Sequence, residues 1–229
     1  MSAKTIQSAN QVSISVFFHR LLLAAINLFE NPLTSGFISL SIFLMISYHY
    51  GKLVSPSQFS YYNYLADAFL HGQTWLRLTP PSLHDIVIYE GKLYLYWAPF
   101  PAFLLMPFVA IFGVQLNDVL YTLLIAAFNV GLVAQLLRAA CKVKFLNLSK
   151  TQRAILVFFF AFGTVHFNLA PFGKVWATGQ LIGFTCTLLA YLATFCLNGG
   201  KAWFFTGLAL SGAMLTRTQM VFTGIFPLV

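Results

Sequence analysis

Acidic side chains are scarce in this chain. Its 229 residues hold five Asp and Glu against thirteen Lys and Arg, and charged residues make up 8% of it. A soluble domain carries about 25% charge. With 59% hydrophobic residues and a mean hydropathy of +0.79, the composition excludes an ordinary water-soluble globule and points to an integral membrane protein. Cysteine is scarce too. Cys141, Cys186 and Cys196 show neither metal nor redox spacing and read as small, buried apolar residues. No metal-ligand spacing is visible elsewhere, so no cofactor is called for, although a divalent ion stays open. A cleavable signal peptide is lacking as well. The apolar stretch 12–29 is interrupted by His19-Arg20, and no small-residue cleavage site follows it.

The net charge of +8 raises the question of nucleic acid. Its distribution answers otherwise. Arg138, Lys142, Lys144, Lys150 and Arg153 gather between two apolar spans with no acid among them. Such clusters mark cytoplasmic loops. They fix an orientation and imply a lipid bilayer, not a nucleic acid, as the partner.

Apolar segments of spanning length recur along the chain. Residues 1–32 read as a cytoplasmic tail followed by a helix lying in the interface, ended by Glu30-Asn31-Pro32. Spans are predicted at about 34–50, 119–137, 154–170, 175–197 and 202–215, with a partial span at 219–229. The fold class is therefore an all-α polytopic membrane protein, a transmembrane helix bundle with its N-terminus in the cytoplasm of a multi-pass plasma (inner) membrane protein. The apolar finish at "TGIFPLV" suggests the N-terminal part of a longer chain.

One polar block interrupts this pattern, the outer loop 51–117. Residues Ser57 to His71 read as an amphipathic helix, with Phe59, Tyr62, Ala66, Phe69 and Leu70 on one side and a polar stripe of Asn63, Asp67 and His71 on the other. Gly72 ends it. "IVIYEGKLYLYW" (86–97) reads as two short strands turning at Glu90-Gly91. The proline-bearing segment 98–113 reads as re-entrant, because a crossing there would reverse the orientation set by the basic cluster.

On this topology Asp67, Asp85, Glu90, His71, His84, Lys174 and Arg217 share the outer face. A carboxylate there can act as general base toward a hydroxyl, and arginine suits forked contacts with phosphate oxygens. Asp67 and Asp85 are the candidate catalytic residues. Arg217, Lys174, His71 and His84 are the candidate phosphate and substrate ligands. Plainer roles stand beside these. Asp67 also pairs naturally with His71 one turn on, Asp85 and Glu90 suit turns, Lys174 suits a headgroup anchor, and His166 suits a packed interfacial position. Arg217 interrupts an apolar helix, where a charge is usually functional.

The succession of the first span, "YLADAFLHGQTWL", "HDIVIYEGKLYLYWAPFPAFLLMPFVAIFG" and "NDVLYTLLIAAFNVGLVAQLLRAA" resembles bacterial integral-membrane glycosyltransferases of the C superfamily. Within that superfamily it is similar to the protein O-mannosyltransferases, the aminoarabinose lipid A transferases and the lipopolysaccharide-core transferases. "FFAFGTVHFNLAPFGKVW" and "FTGLALSGAMLTRTQMVF" extend the likeness, which covers about residues 33–229. The resemblance implies inverting sugar transfer from a polyprenyl-phosphate donor to an envelope glycan, lipid or protein acceptor at the extracytoplasmic face. Arg217 in "LTRTQ" matches a position where the family often has a basic residue. The chain departs from the pattern at Ser57-Gln58, where better-known members carry an acidic pair. Two other classes remain: a transporter of a lipid-linked or small substrate, and a non-catalytic membrane protein of the same architecture. Transporters place ionisable groups at mid-membrane on broken helices, whereas here nearly all charges lie at the edges of the spans.

Overall fold

A computed structural model describes residue 17 and residues 19–228. The predicted polar tail and the start of the interfacial helix lie outside the described residues. The described residues are mostly helical, 71% helix and 4% strand. Residues 19–30 form α1, and Asn31 ends it by capping the next helix, its side chain accepting from the backbone N–H of Leu33 at 2.9 Å. Pro32 then occupies the first turn of α2 (Pro32–His49), where its missing N–H is harmless.

Among the described residues, three helices are long and apolar enough to cross a membrane: α2, α5 (Asp118–Lys142) and α8 (Val175–Cys196). Their 18, 25 and 22 residues give about 27, 37 and 33 Å at 1.5 Å per residue, against a hydrocarbon core of about 30 Å. α5 packs between α2 and α8. Small residues let the backbones approach. A Cβ on Gly131 would stand 2.8 Å from the Pro32 carbonyl oxygen. Across α5 and α8, Thr122 and Thr178 hydroxyls meet at 2.7 Å, and Asn129 donates to the Leu181 carbonyl at 3.0 Å while accepting from Thr185 at 2.6 Å. Polar contacts of this kind hold helices together where lipid removes the hydrophobic drive. Around them lies an exposed apolar surface, with Leu33, Phe37, Leu124, Phe128, Phe158, Phe159, Phe204 and Leu208 all outward. So large an apolar surface marks contact with lipid.

The predicted span 154–170 is not one helix. α6 (Lys150–Gly163) stops, and α7 (Val165–Leu169) starts anew behind Thr164, whose hydroxyl accepts from the His166 N–H at 3.2 Å and donates to the Phe160 carbonyl at 2.8 Å. That local bonding competes with the helix ladder. α9 (Gly199–Met214) begins three residues before the predicted span and packs along α8. The predicted partial span is a 3₁₀ segment, Thr218–Gly224, leading into α10 (Ile225–Leu228). Its Phe226 reaches Phe145 and Phe195 at the basic end of the bundle.

The polar block builds its own small layer at the opposite end. α3 (Tyr61–Leu70) is capped by His71 and buried from Tyr61 through Ala68. Both faces of the expected amphipathic helix are therefore enclosed as far as Ala68, and its polar stripe divides: Asn63 and Asp67 are buried while His71 is exposed. Asn63 donates to the carbonyls of Val114 at 3.1 Å and Leu116 at 2.7 Å. α4 (Phe100–Phe112) covers one side of α3. At 13 residues, about 20 Å, it is too short to cross. The hairpin lies where the alternation puts it, with β1 (Ile86–Tyr89) antiparallel to β2 (Lys92–Leu95) and Tyr89 opposite Lys92. Glu90 and Gly91 both have positive φ, 48° and 72°, the two-residue turn that matches strand twist.

Cysteine needs a further correction. Cys186 is buried, Cys141 is half-buried and Cys196, the last residue of α8, is exposed.

Candidate functional site

The site is assembled at the loop end of the bundle, and its foundation is a carboxylate outside the set of candidate site residues read from the sequence. Asp118, the first residue of α5, is fully buried and accepts from the Ser57 N–H at 2.7 Å, the Ser57 hydroxyl, and the Lys174 N–H at 3.1 Å. Three donors saturate it. This knot ties the loop after α2 and the turn before α8 to the head of α5. Gly173 makes the approach possible, since a Cβ there would meet Asp118 Oδ2 at 3.1 Å and the Val119 N–H at 3.1 Å. Lys174 follows with φ of 90°, starting α8.

Above this knot lies a ring of aromatic and charged side chains. Lys174 Nζ stands 5.8 Å from the centre of Phe59 and 5.7 Å from that of Trp176. His84 touches the same two rings, at 6.3 and 6.4 Å between centroids. Its Nε2 lies 3.6 Å from Asp85 Oδ1. Asp85 accepts from the Tyr96 hydroxyl and from Trp97 Nε1, each at 3.2 Å. Arg217 then lies over the Trp97 ring, its guanidinium carbon 4.9 Å from the centroid, a cation–π contact. An unbroken series of contacts thus runs from Lys174 through His84 and Asp85 to Arg217, residues drawn from three separate stretches of sequence.

The Asp85 carboxylate is 13% exposed, within reach of an incoming group, while its two donors fix its orientation. Asp85 also has positive φ, 61°. The Tyr96 hydroxyl is pushed up from its ordinary pKa by desolvation and then by the neighbouring Asp85 charge, with Arg217 opposing. Tyr96 therefore remains a neutral donor to the carboxylate.

Among the described residues, Arg217 Nε and the Tyr62 hydroxyl at this end are buried without hydrogen bonds. Burial pushes the Tyr62 hydroxyl far up in pKa, with the Arg217 charge opposing. Buried orphan donors are uncommon and call for an explanation. Arg217 also lines a cavity of about 340 Å³ with His166, Gln180 and Gln219. Both ring nitrogens of buried His166 are unpartnered.

Asp67 and His71 lie elsewhere. Asp67 sits six residues past Tyr61, about 9 Å along α3, and is held by a forked ion pair to Arg77, Nε to Oδ2 and Nη2 to Oδ1, both at 3.1 Å. Arg77 is held above its ordinary pKa by this bond. His71 keeps its Nδ1 2.8 Å from the Asp67 carbonyl oxygen and 3.7 Å from Oδ1. Glu90 is exposed in the hairpin turn. Among the described residues, no three His, Cys, Asp or Glu side chains are grouped to hold a metal ion.

Sequence reasoning missed Asp118, Arg77, Tyr96 and Trp97. A signal existed for Arg77, a lone cation just beyond the Gly72 turn in an acid-poor chain. None existed for the contact between Trp97 and Arg217, 120 positions apart. No family model, no curated protein and no solved structure matches the chain.

Proposed function

We propose that the protein is an integral-membrane glycosyltransferase, moving a sugar from a polyprenyl-phosphate donor to a hydroxyl of an envelope glycan, lipid or protein. The observation that carries this reading is the ring of Asp85, His84, Arg217 and Lys174 around Trp97, Trp176 and Phe59 at one end of the spanning helices. It combines an oriented carboxylate, two cations and flat aromatic faces on which a pyranose ring can stack. Orientation follows from charge: the basic end is cytoplasmic, the N-terminus with it, and the site faces outward. α4 then lies in the outer leaflet as the re-entrant element.

In this scheme Asp85 takes the proton of the acceptor hydroxyl as its oxygen attacks the anomeric carbon. The bond from that carbon to the phosphate oxygen breaks, and the electron pair leaves with the phosphate. Arg217 and Lys174 hold the growing negative charge. Attack opposite the leaving group inverts the anomeric centre. Asp67, already engaged with Arg77, serves the fold of the loop, and His71 goes with it.

The test is transfer of a radiolabelled sugar from a polyprenyl-phosphate donor by the purified full chain, comparing Asp85→Asn with Asp67→Asn. Loss in the first alone supports the assignment. Equal rates in both variants and the parent remove Asp85 as the base. Transport of the donor without transfer favours the transporter instead.

A further inference from the structure

At the basic end, well away from the aromatic ring, the molecule carries a second concavity that the transfer scheme does not use. A cavity of about 740 Å³ is walled by Arg138, Lys142, Lys150 and Arg153, with Glu30 and Gln135 beside them. Glu30, brought from the end of α1, pairs with Arg153 at 2.7 Å and approaches Arg138 at 3.9 Å. One carboxylate therefore faces four cations. Lys142 and Lys150 have no ion pair among the described residues. Arg153 Nε is buried with no partner.

A groove of opposite character adjoins this cavity, sharing Gln135 and Arg138 with it. Between α2 and α5 runs an apolar trough of about 590 Å³, lined by Pro32, Phe37, Leu40, Leu124 and Phe128 and ending at Gln135 and Arg138, which also wall the basic cavity. From Leu124 to Arg138 the trough follows α5 for about 21 Å, more than half the hydrocarbon core of about 30 Å. The orienting effect of positive loops needs cations at the membrane edge. It does not need them around a concavity that adjoins an apolar trough.

We propose that this paired feature binds an anionic glycerophospholipid, with its phosphate among Arg138, Lys142, Lys150 and Arg153 and one acyl chain along the α2–α5 trough. Charge complementarity selects the headgroup, and the apolar lining selects a lipid over a soluble phosphate. Basic pockets at helix ends recognise anionic lipids in this way. The site is independent of the transferase reading and leaves the aromatic ring untouched.

The experiment measures thermal unfolding and lipid adducts by native mass spectrometry on the full chain in a neutral detergent. Three probes are compared: phosphatidylglycerol, phosphatidylcholine and soluble glycerol 3-phosphate. Phosphatidylglycerol is expected to form adducts and raise the unfolding temperature, and the other two to do neither. The double variant Lys142→Gln/Lys150→Gln is expected to weaken phosphatidylglycerol binding by at least tenfold, at about fivefold for each lysine near a membrane surface. Leu124→Trp, which fills the trough and removes no charge, is expected to weaken it as well. Equal stabilisation by phosphatidylcholine overturns the headgroup assignment. Equal stabilisation by glycerol 3-phosphate overturns the lipid in favour of a soluble phosphate. Because the three probes are compared on the unaltered protein, the result does not depend on the variants folding.

Discussion

The two ends of the bundle use charge in opposite ways. The loop end holds four of the five acids, Asp67, Asp85, Glu90 and Asp118, against Lys52, Arg77, Lys92, Lys174 and Arg217. Most of these have a defined partner: Arg77 on Asp67, Lys92 on Trp75, Arg217 on Trp97, and Asp118 under three donors. The cavity at the basic end holds Glu30 alone among four cations, Arg138, Lys142, Lys150 and Arg153. Fixed, paired charge over aromatic faces gives directional chemistry. Unpaired charge beside an apolar trough gives attraction without a fixed geometry. Similar numbers of lysine and arginine therefore build two different surfaces, and the placement of five carboxylates decides which is which.

Variants at the loop end carry the largest expected effects. Asp85→Asn is expected to lower sugar transfer by about 10²–10⁴-fold, the range of a lost general base, with helix content by circular dichroism unchanged. A comparable loss from Asp67→Asn would erase the distinction between the two carboxylates. Asp118→Ala attacks the fold instead. It strands the Ser57 and Lys174 donors and is expected to destabilise the protein by about 3 kcal/mol in unfolding experiments.

Smaller effects separate tight from open positions along the spans. Gly131→Ala places a Cβ against the Pro32 carbonyl, a backbone atom that cannot swing away, and is expected to destabilise α2–α5 packing by about 1–3 kcal/mol. Gly207→Ala meets nothing within 4 Å and is expected to stabilise α9 by up to about 1 kcal/mol, the helix propensity gain alone. Asn129→Leu, deep between α5 and α8, is expected to lose about 0.6–2 kcal/mol. If the order of Gly131→Ala and Gly207→Ala reversed, the close approach of α2 to α5 would be in error.

How much of this was legible depended on the range of the interaction. The hairpin was readable because Glu90-Gly91 sits between two alternating runs, and the end of α3 because Gly72 follows it. Three spans were readable from apolar length. The environment of α3 was not. Its Asn63, Asp67 and His71 recur at helical spacing in solvent-facing and enclosed helices alike, and only the packing of α4 and the loop at Leu116 decides between them. The break at Gly163-Thr164 was hidden because phenylalanines continue on both sides, while Thr164 turns its hydroxyl onto the backbone. The site was legible as a list of polar residues on one side of the membrane, not as a geometry. Ser57, read as a position lacking an acid, in fact meets one supplied from 61 positions downstream, Asp118.

Among the described residues, two of the four non-glycine positions with positive φ are Asp85 and Lys174. Left-handed backbone at a residue with a side chain is strained by about 1–3 kcal/mol, least for aspartate, which tolerates it, and more for lysine. Glycine at either position would relax the chain, and a protein shaped for durability alone would carry it there. On the proposed transfer scheme the strain sits where a carboxylate and an amine are needed. Replacing Lys174 with glycine is therefore expected to raise the unfolding temperature and, on that scheme, to lower sugar transfer.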